Sequence, residues 1–303
     1  MTERLRIDRT TTVDAGQVDE VAALVQAAAA TDGFEGLNEA ALLALRYNDP
    51  GSTHLLARVG ETLVGYAQLL ELGGSTSGVL VVAPSARRRG LGSELLTQLI
   101  DNAGSPLHIW GMHDTEAAHR LARRHQLVRA RELLIMTRSL DAPVPETGPP
   151  AGTWIRTFEV GRDEEAWLRV NARAFAHHPE QGSLTRVDLD ERMAEPWFDP
   201  SGFFVAERDG RMVGFHWTKQ HEDHRGEVYV LGVDPEAGGG GLGTALLHSG
   251  LRHLAATGNT EVLLYVEADH ERAVKLYATN GFSESSRDVM YSQPVRAAQV
   301  GRD

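Results

Sequence analysis

The 303-residue chain contains no cysteine. That excludes disulfides, thiolate metal sites and a cysteine nucleophile at once. It lacks any uncharged apolar run of about 18 residues, the length a membrane-spanning helix needs. Residues 1–14 alternate charges with single apolar residues and carry no apolar centre of a secretory signal. A cytoplasmic chain without a membrane partner is expected. Positive charge is also short: 30 Lys and Arg face 42 Asp and Glu, for a net charge of -12. Such a field speaks against nucleic acid and suits a small neutral or cationic substrate. The remaining composition is that of an ordinary globular protein, and the length suffices for two cores.

What is present is a duplication. Val82-Ala83-Pro84 precedes Arg87-Arg88-Arg89-Gly90-Leu91-Gly92, and Val233-Asp234-Pro235 precedes Gly238-Gly239-Gly240-Gly241-Leu242-Gly243; Pro84 and Pro235 lie 151 positions apart, as do Gly92 and Gly243. Upstream, Leu63-Val64-Gly65-Tyr66 parallels Met212-Val213-Gly214-Phe215 at a shift of 149. Two matches in one order at nearly one shift mean two domain-sized copies. Residues 139–152, SLDAPVPETGPPAG, punctuate helix and strand alike and read as an extended linker. The expected domains are 1–140 and 153–303, joined by 141–152. Each copy predicts an early helix (15–30, 163–175) and a strand before the glycine loop (78–82, 227–233). A helix follows the loop (90–102, 241–257), then a buried strand (108–111, 261–266), a further helix and a closing strand. In the second copy Asp209-Gly210 between apolar runs predicts a hairpin. The fold class is α/β, a mixed, mostly antiparallel sheet flanked by helices in each copy.

Strand, glycine-rich turn and helix together hold phosphate. The first helical N–H groups lack intrahelical partners, the helix dipole is positive there, and glycine lets a phosphate reach the backbone. Neither copy has a Walker lysine or a GxGxxG before the helix. Arg87-x-x-Gly90-x-Gly92 instead resembles the acyl-CoA loop of the GNAT N-acetyltransferases, as does the preceding V-x-P strand end. The resemblance implies acetyl-CoA as cosubstrate. It implies binding at Leu80, Val81 and Val82 with Arg88, Arg89, Gly90, Leu91, Gly92 and Ser93 in the first copy. In the second it implies Leu231, Gly232 and Val233, the loop Gly238, Gly239, Gly240, Gly241, Leu242, Gly243 and Thr244, and the helix start His270, Glu271, Arg272, Ala273, Val274 and Lys275. Gly238 stands where the family has Arg or Gln, so the tighter acetyl-CoA site is expected in the first copy, which keeps Arg87.

The copies differ in acid–base groups. Tyr277 before Asn280-Gly281-Phe282 resembles the GNAT tyrosine that protonates the departing thiolate. Aligning Gly281-Phe282 with Gln126-Leu127 sets Ala122 against it. Glu227 opens the central strand of the second copy, and the 151-residue shift sets Thr76 against it. Chemistry is therefore expected in the second copy: Glu227 as base, Tyr277 as acid, strand amides on the oxyanion, and direct transfer with no acyl-enzyme.

The strings FAHHPEQG (175–182), GFHWTK (214–219), GEVYV (226–230) and LYVEAD (264–269), in two copies with a proline-rich linker, resemble the tandem-GNAT family that acetylates the cysteine amine of cysteinyl-glucosaminyl-inositol. That resemblance implies substrate contacts from Glu180, Lys219, Glu227 and Tyr265, and from Glu39 of the first copy. On the residues alone, Glu180 also reads as a solvated loop carboxylate, Lys219 as a snorkelling lysine, Tyr265 and Tyr277 as core, and Glu39 as a helix-start residue. His177-His178 and His221-x-x-His224 have the spacing of metal ligands but no partner cysteine, and no metal is expected. The open alternatives are a GNAT acting on a protein N-terminus, an aminoglycoside or a polyamine, and a non-catalytic acetyl-CoA sensor. A monomer is expected.

Overall fold

The computed structural model describes residues 4–294 apart from Gly73, Ser105 and Pro179. The outermost residues of the two expected domains, 1–3 and 295–303, and Pro179 of the string 175–182 lie outside the described residues.

In chain order the first copy runs β1 (Leu5–Thr10), α1 (Ala15–Asp32), α2 (Glu39–Tyr47), β2 (Ser52–Val59), β3 (Thr62–Leu72), β4 (Ser75–Val82), α3 (Leu91–Asn102), β5 (Leu107–Gly111), α4 (Glu116–Arg124) and β6 (Val128–Ser139). The second runs β7 (Thr153–Thr157), α5 (Glu164–Ala174), α6 (Arg186–Met193), β8 (Phe203–Arg208), β9 (Arg211–Gln220), β10 (Arg225–Val233), α7 (Leu242–Ala256), β11 (Glu261–Glu267), α8 (Glu271–Thr279) and β12 (Ser283–Ser292). The predicted elements are all present. Helix α2 begins at Glu39, as that residue's helix-start reading expects; helix α6 and strands β1 and β7 were outside the expected set, being short or only half buried.

Two compact units form. One holds the described residues up to Leu133 and those from Arg287 onward; the other is Leu134–Ser286. The division does not fall at the expected linker: β6 lies beside β11 and belongs to the second unit from Leu134 onward, and β12 lies beside β5 and belongs to the first from Arg287 onward. The linker also packs on the second unit, where Thr147 Oγ1 meets His248 Nδ1 at 2.8 Å and Arg252 donates to the Pro145 carbonyl at 2.9 Å.

In the first unit the strands run β1-β2-β3-β4-β5-β12, antiparallel except for β4 beside β5. In the second, β7, β8, β9 and β10 are antiparallel, β11 lies parallel to β10, and β6 follows β11. Each sheet is covered on both faces. Leu91, Leu95, Leu96 and Leu99 of α3 bury one helical stripe against Ala57, Ala67 and Leu69, each leucine contributing about 2 kcal/mol of burial. Helix α1 covers the other face with Val21, Leu24, Val25 and Ala28. Its ends are set by sequence: Asp14 and Gln17 form a reciprocal capping box, and Gly33 closes the helix at φ 81°. The Asp209-Gly210 turn has both residues at positive φ, 52° and 70°, as the tight primed hairpin turn requires.

The repeated glycines seat the helix that follows each phosphate loop. A Cβ on Gly65 would lie 3.1 Å from Leu91 and Leu95 of α3, and one on Gly214 would lie 3.0 Å from Leu246 of α7. This close approach accounts for the V-G pair in both copies.

Candidate active site

Both central strand pairs part at the same point. Parallel pairing of β4 with β5 covers Thr76↔Leu107 to Gly78↔Ile109, and that of β10 with β11 covers Arg225↔Glu261 to Val228↔Leu264. Beyond these pairs the strand ends Leu80, Val81 and Val82, and Leu231, Gly232 and Val233, carry no register to β5 or β11. In the second unit a bulge at Tyr229 accompanies the parting. The exposed strand backbone is the surface that an extended amide-bearing chain such as pantetheine can pair with.

Each parted strand leads into a loop built for phosphate. Arg88 (φ 63°) and Gly90 (φ 89°) turn the first loop into α3. Gly239 (98°), Gly240 (60°) and Gly241 (85°) turn the second into α7. Neither N-cap, Gly90 or Gly241, carries a side-chain cap, so the amides of Gly92 and Ser93, and of Gly243 and Thr244, point outward with the positive end of the helix dipole. Ser93 also engages His125 through its hydroxyl at 2.7 Å. The surroundings repeat: a Cβ at Gly92 would lie 3.8 Å from Val82 and 4.0 Å from Leu121, and one at Gly243 would lie 3.8 Å from Leu276 and 4.0 Å from Val233. Strand end, loop and last helix converge alike in both units, with His270 capping α8 through Ala273 N–H.

The arginine argument for a tighter first site does not survive. Arg87 grips Asp32 with two hydrogen bonds of 2.6 and 2.7 Å and donates its Nε to the Val82 carbonyl at 3.0 Å. It ties the loop to α1 rather than offering charge to a ligand. In the second unit, Arg272 of α8 reaches to 3.7 Å from where a Gly238 Cβ would sit. A cation thus stands beside the all-glycine loop after all.

The β9–β10 hairpin of the second unit carries two of the residues expected to meet the acceptor, Lys219 and Glu227. Lys219 lies directly opposite Glu227, and the next antiparallel step sets His221 across from Arg225. The side chains of 219, 221, 225 and 227 therefore share one face. Glu227 is 7% exposed; its Oε2 accepts from His221 Nε2 at 2.8 Å. Lys219 projects its ammonium over Trp197 (4.5 Å) and Tyr229 (5.4 Å). Arg192 donates to the Tyr229 hydroxyl at 3.1 Å. Tyr265 is 47% exposed, which overturns the core reading of that residue. Glu180 precedes the short turn Gln181–Ser183, which His178 ties by accepting from Gln181 N–H at 3.1 Å while standing 3.8 Å from Glu267. Glu39 is the first residue of α2, after the N-cap Asn38. Tyr277 is the one buried residue of α8, packed on Phe282. Burial pushes its phenol pKa up, so it keeps its proton across the neutral range.

The repeat comparison holds at Tyr277 and moves by one residue at Glu227. Leu127 N–H bonds the Ala122 carbonyl (2.9 Å) as Phe282 N–H bonds that of Tyr277 (3.1 Å), and Gln126 and Gly281 both take positive φ. Ala122 and Tyr277 are thus equivalent. The β9–β10 turn is one residue longer than its counterpart and the bulge adds another, which accounts for the drift from 149 to 151. Glu227 therefore matches Ser77, not Thr76. Thr76 is buried and donates to Glu71 at 2.8 Å. The same register sets Leu70 against Lys219 and Trp110 against Tyr265. His221 and the Trp197–Tyr229 cage were missed in the sequence; the shared face of the hairpin was the signal available. His221 and His224 lie in a hairpin turn, not on a helix. Among the described residues no group of three or more His, Asp or Glu could hold a metal ion, and no helix is long and apolar enough to cross a membrane.

Two units with a parted central strand, a phosphate loop and a following helix define an acetyltransferase of the GNAT class. The sequence profile described as "Acetyltransferase (GNAT) family" matches residues 23–126 and 167–282. The mycothiol acetyltransferase of Thermobispora bispora is 50% identical over 298 residues, covering 96% of this chain and 99% of its own. That of Streptomyces coelicolor is 49% identical, covering 91% of each. A tandem GNAT protein from the clavulanic acid biosynthesis pathway shares the fold at a TM-score of 0.73 and 19% identity, over 95% of this chain and 98% of that one. The chain belongs to the mycothiol acetyltransferase family of tandem GNAT enzymes. It is an acyltransferase, and enzymes of this class take acetyl-CoA as cosubstrate.

Proposed function

We propose that the chain acetylates the cysteine amine of cysteinyl-glucosaminyl-inositol with acetyl-CoA, giving mycothiol, and that the second unit performs the chemistry. The observation that carries this reading is the asymmetry of four matched positions. Glu227, Lys219, Tyr265 and Tyr277 stand where the first unit has Ser77, Leu70, Trp110 and Ala122. In the first unit Leu70 is buried and Trp110 packs on the core beneath the Arg131 guanidinium, 5.6 Å from its ring. That unit keeps the phosphate loop and lacks the acid–base and acceptor-side groups at these four positions, which fits binding without turnover.

Glu227 takes a proton from the substrate ammonium, directly or through water, and frees the amine to attack the thioester carbonyl. The amides of Leu231, Gly232 and Val233 meet the oxyanion. Tyr277 gives its proton to the departing CoA thiolate, and transfer is direct. Gly238, Gly239, Gly240, Gly241, Leu242, Gly243 and Thr244, with residues 270–275, hold the cosubstrate. Glu180, Lys219 and Tyr265 are assigned to the acceptor. We place the enzyme in the cytoplasm as a monomer.

Full-length protein given acetyl-CoA and cysteinyl-glucosaminyl-inositol should release CoA and an N-acetylated product in equal amounts by chromatography. Transfer to peptide N-termini, polyamines or aminoglycosides, but not to this amine, would overturn the substrate assignment.

A further inference from the structure

We propose that His221 is a positioning residue for the catalytic base, holding the Glu227 carboxylate so that one defined oxygen faces the acceptor amine. The inference deepens the functional reading above and rests on Glu227 being the base.

An ionised carboxylate only accepts hydrogen bonds, so the 2.8 Å contact fixes His221 as donor through Nε2–H to Oε2. One lone pair of Oε2 is thereby taken and Oε1 is left as the more basic oxygen. The backbone makes the contact specific. His221 N–H bonds the Arg225 carbonyl at 2.9 Å, His224 closes the turn at φ 61°, and the His224 carbonyl accepts from Thr260 at 3.0 Å, anchoring the turn to the start of β11. His221 is thus fixed one step diagonally from Glu227 on the same face, where a long side chain reaches its cross-strand neighbour. The Glu227 side chain is 9% exposed and that of His221 31%, so the imidazole covers the carboxylate from the solvent side. A buried carboxylate with several rotamers delivers its lone pair to the amine only part of the time, and one locked by a donor delivers it consistently. Directly opposite on the neighbouring strand, Lys219 has its ammonium over two aromatic rings.

The test is a double-mutant cycle on the full-length enzyme, with steady-state turnover of cysteinyl-glucosaminyl-inositol and acetyl-CoA. His221→Ala should lower kcat by roughly 5–50-fold with the KM for acetyl-CoA unchanged. His221→Gln, whose amide can donate from the same place, should recover most of the loss. In a Glu227→Gln background His221→Ala should cost nothing further, because its effect passes through the carboxylate. Equal losses on both backgrounds, or a Gln variant as slow as the Ala variant, would show that His221 only supports the hairpin and would overturn the proposal. A silent Glu227→Gln would instead sink the assignment of the base, whatever His221 does.

Discussion

Glu227 and Tyr277 are the residues on which the proposed chemistry turns, and both stand out in the sequence because a duplicated chain supplies its own control. Glu227→Gln keeps shape without basicity, and Tyr277→Phe keeps the ring without a proton to give. Each should lower kcat by roughly 10²–10⁴, the usual contribution of a general acid or base, with little change in acetyl-CoA binding by calorimetry. Ser77→Val and Ala122→Ser, at the matched positions of the first unit, should leave kcat within a few-fold of the parent. Silent second-unit variants together with inactive first-unit ones would move the active site to the first unit. Other residues were not legible. No constant shift finds Ser77, because a longer turn and a bulge each displace the register by one. His221 reads as half of a metal motif until the hairpin pairing turns it toward Glu227. Tyr265 sits in an apolar strand and reads as core, yet it lies beyond the last paired residue, where the strands have parted and a side chain can stand open.

At the scale of elements, the loop-to-helix unit was the clearest signal, since positive φ at successive positions needs glycine and leaves a signature. What the signature could not show is where charge comes from. Arg87, the residue that marks the motif in the first copy, is spent on Asp32, while the second loop has its cation from another helix. Arg272→Ala should weaken acetyl-CoA binding to the second unit by roughly 10–100-fold, the loss of one charge-assisted hydrogen bond, seen as a raised KM at nearly constant kcat. Arg87→Ala should chiefly lower thermal stability, because it removes a bidentate pair and a tie to the Val82 carbonyl. If Arg87→Ala cost the first unit more acetyl-CoA affinity in titration calorimetry than Arg272→Ala costs the second, the motif arginine would be a ligand after all.

For the molecule as a whole, the linker composition marked a boundary in sequence but not in contacts, because proline-rich chain can still pack and its hydrogen bonds go to the second unit. Five histidines, His54, His125, His216, His248 and His253, have pKa values pushed down, each chiefly by burial. His216 is the extreme case: fully buried, donating Nδ1–H to the Leu246 carbonyl at 2.8 Å, with its pKa lowered from 6.5 to about 4. The unfolded chain binds a proton at this site from about pH 6.5 downward and the folded chain does not until about pH 4, so stability rises with pH across that window and is lost as pH falls through it. At one pKa unit per 1.36 kcal/mol, His216 alone should remove roughly 2–3 kcal/mol between neutrality and pH 4. Chemical denaturation followed by tryptophan fluorescence suits the test, since four of the five tryptophans, Trp154, Trp167, Trp197 and Trp217, lie in the second unit with His216. His216→Asn keeps a donor for the Leu246 carbonyl but cannot titrate. Its stability should fall less steeply between pH 6.5 and 4 than that of the parent, the two curves converging toward acid. Parallel curves across the window would show that the buried imidazole is protonated in the fold, and that some group beside it carries the compensating charge.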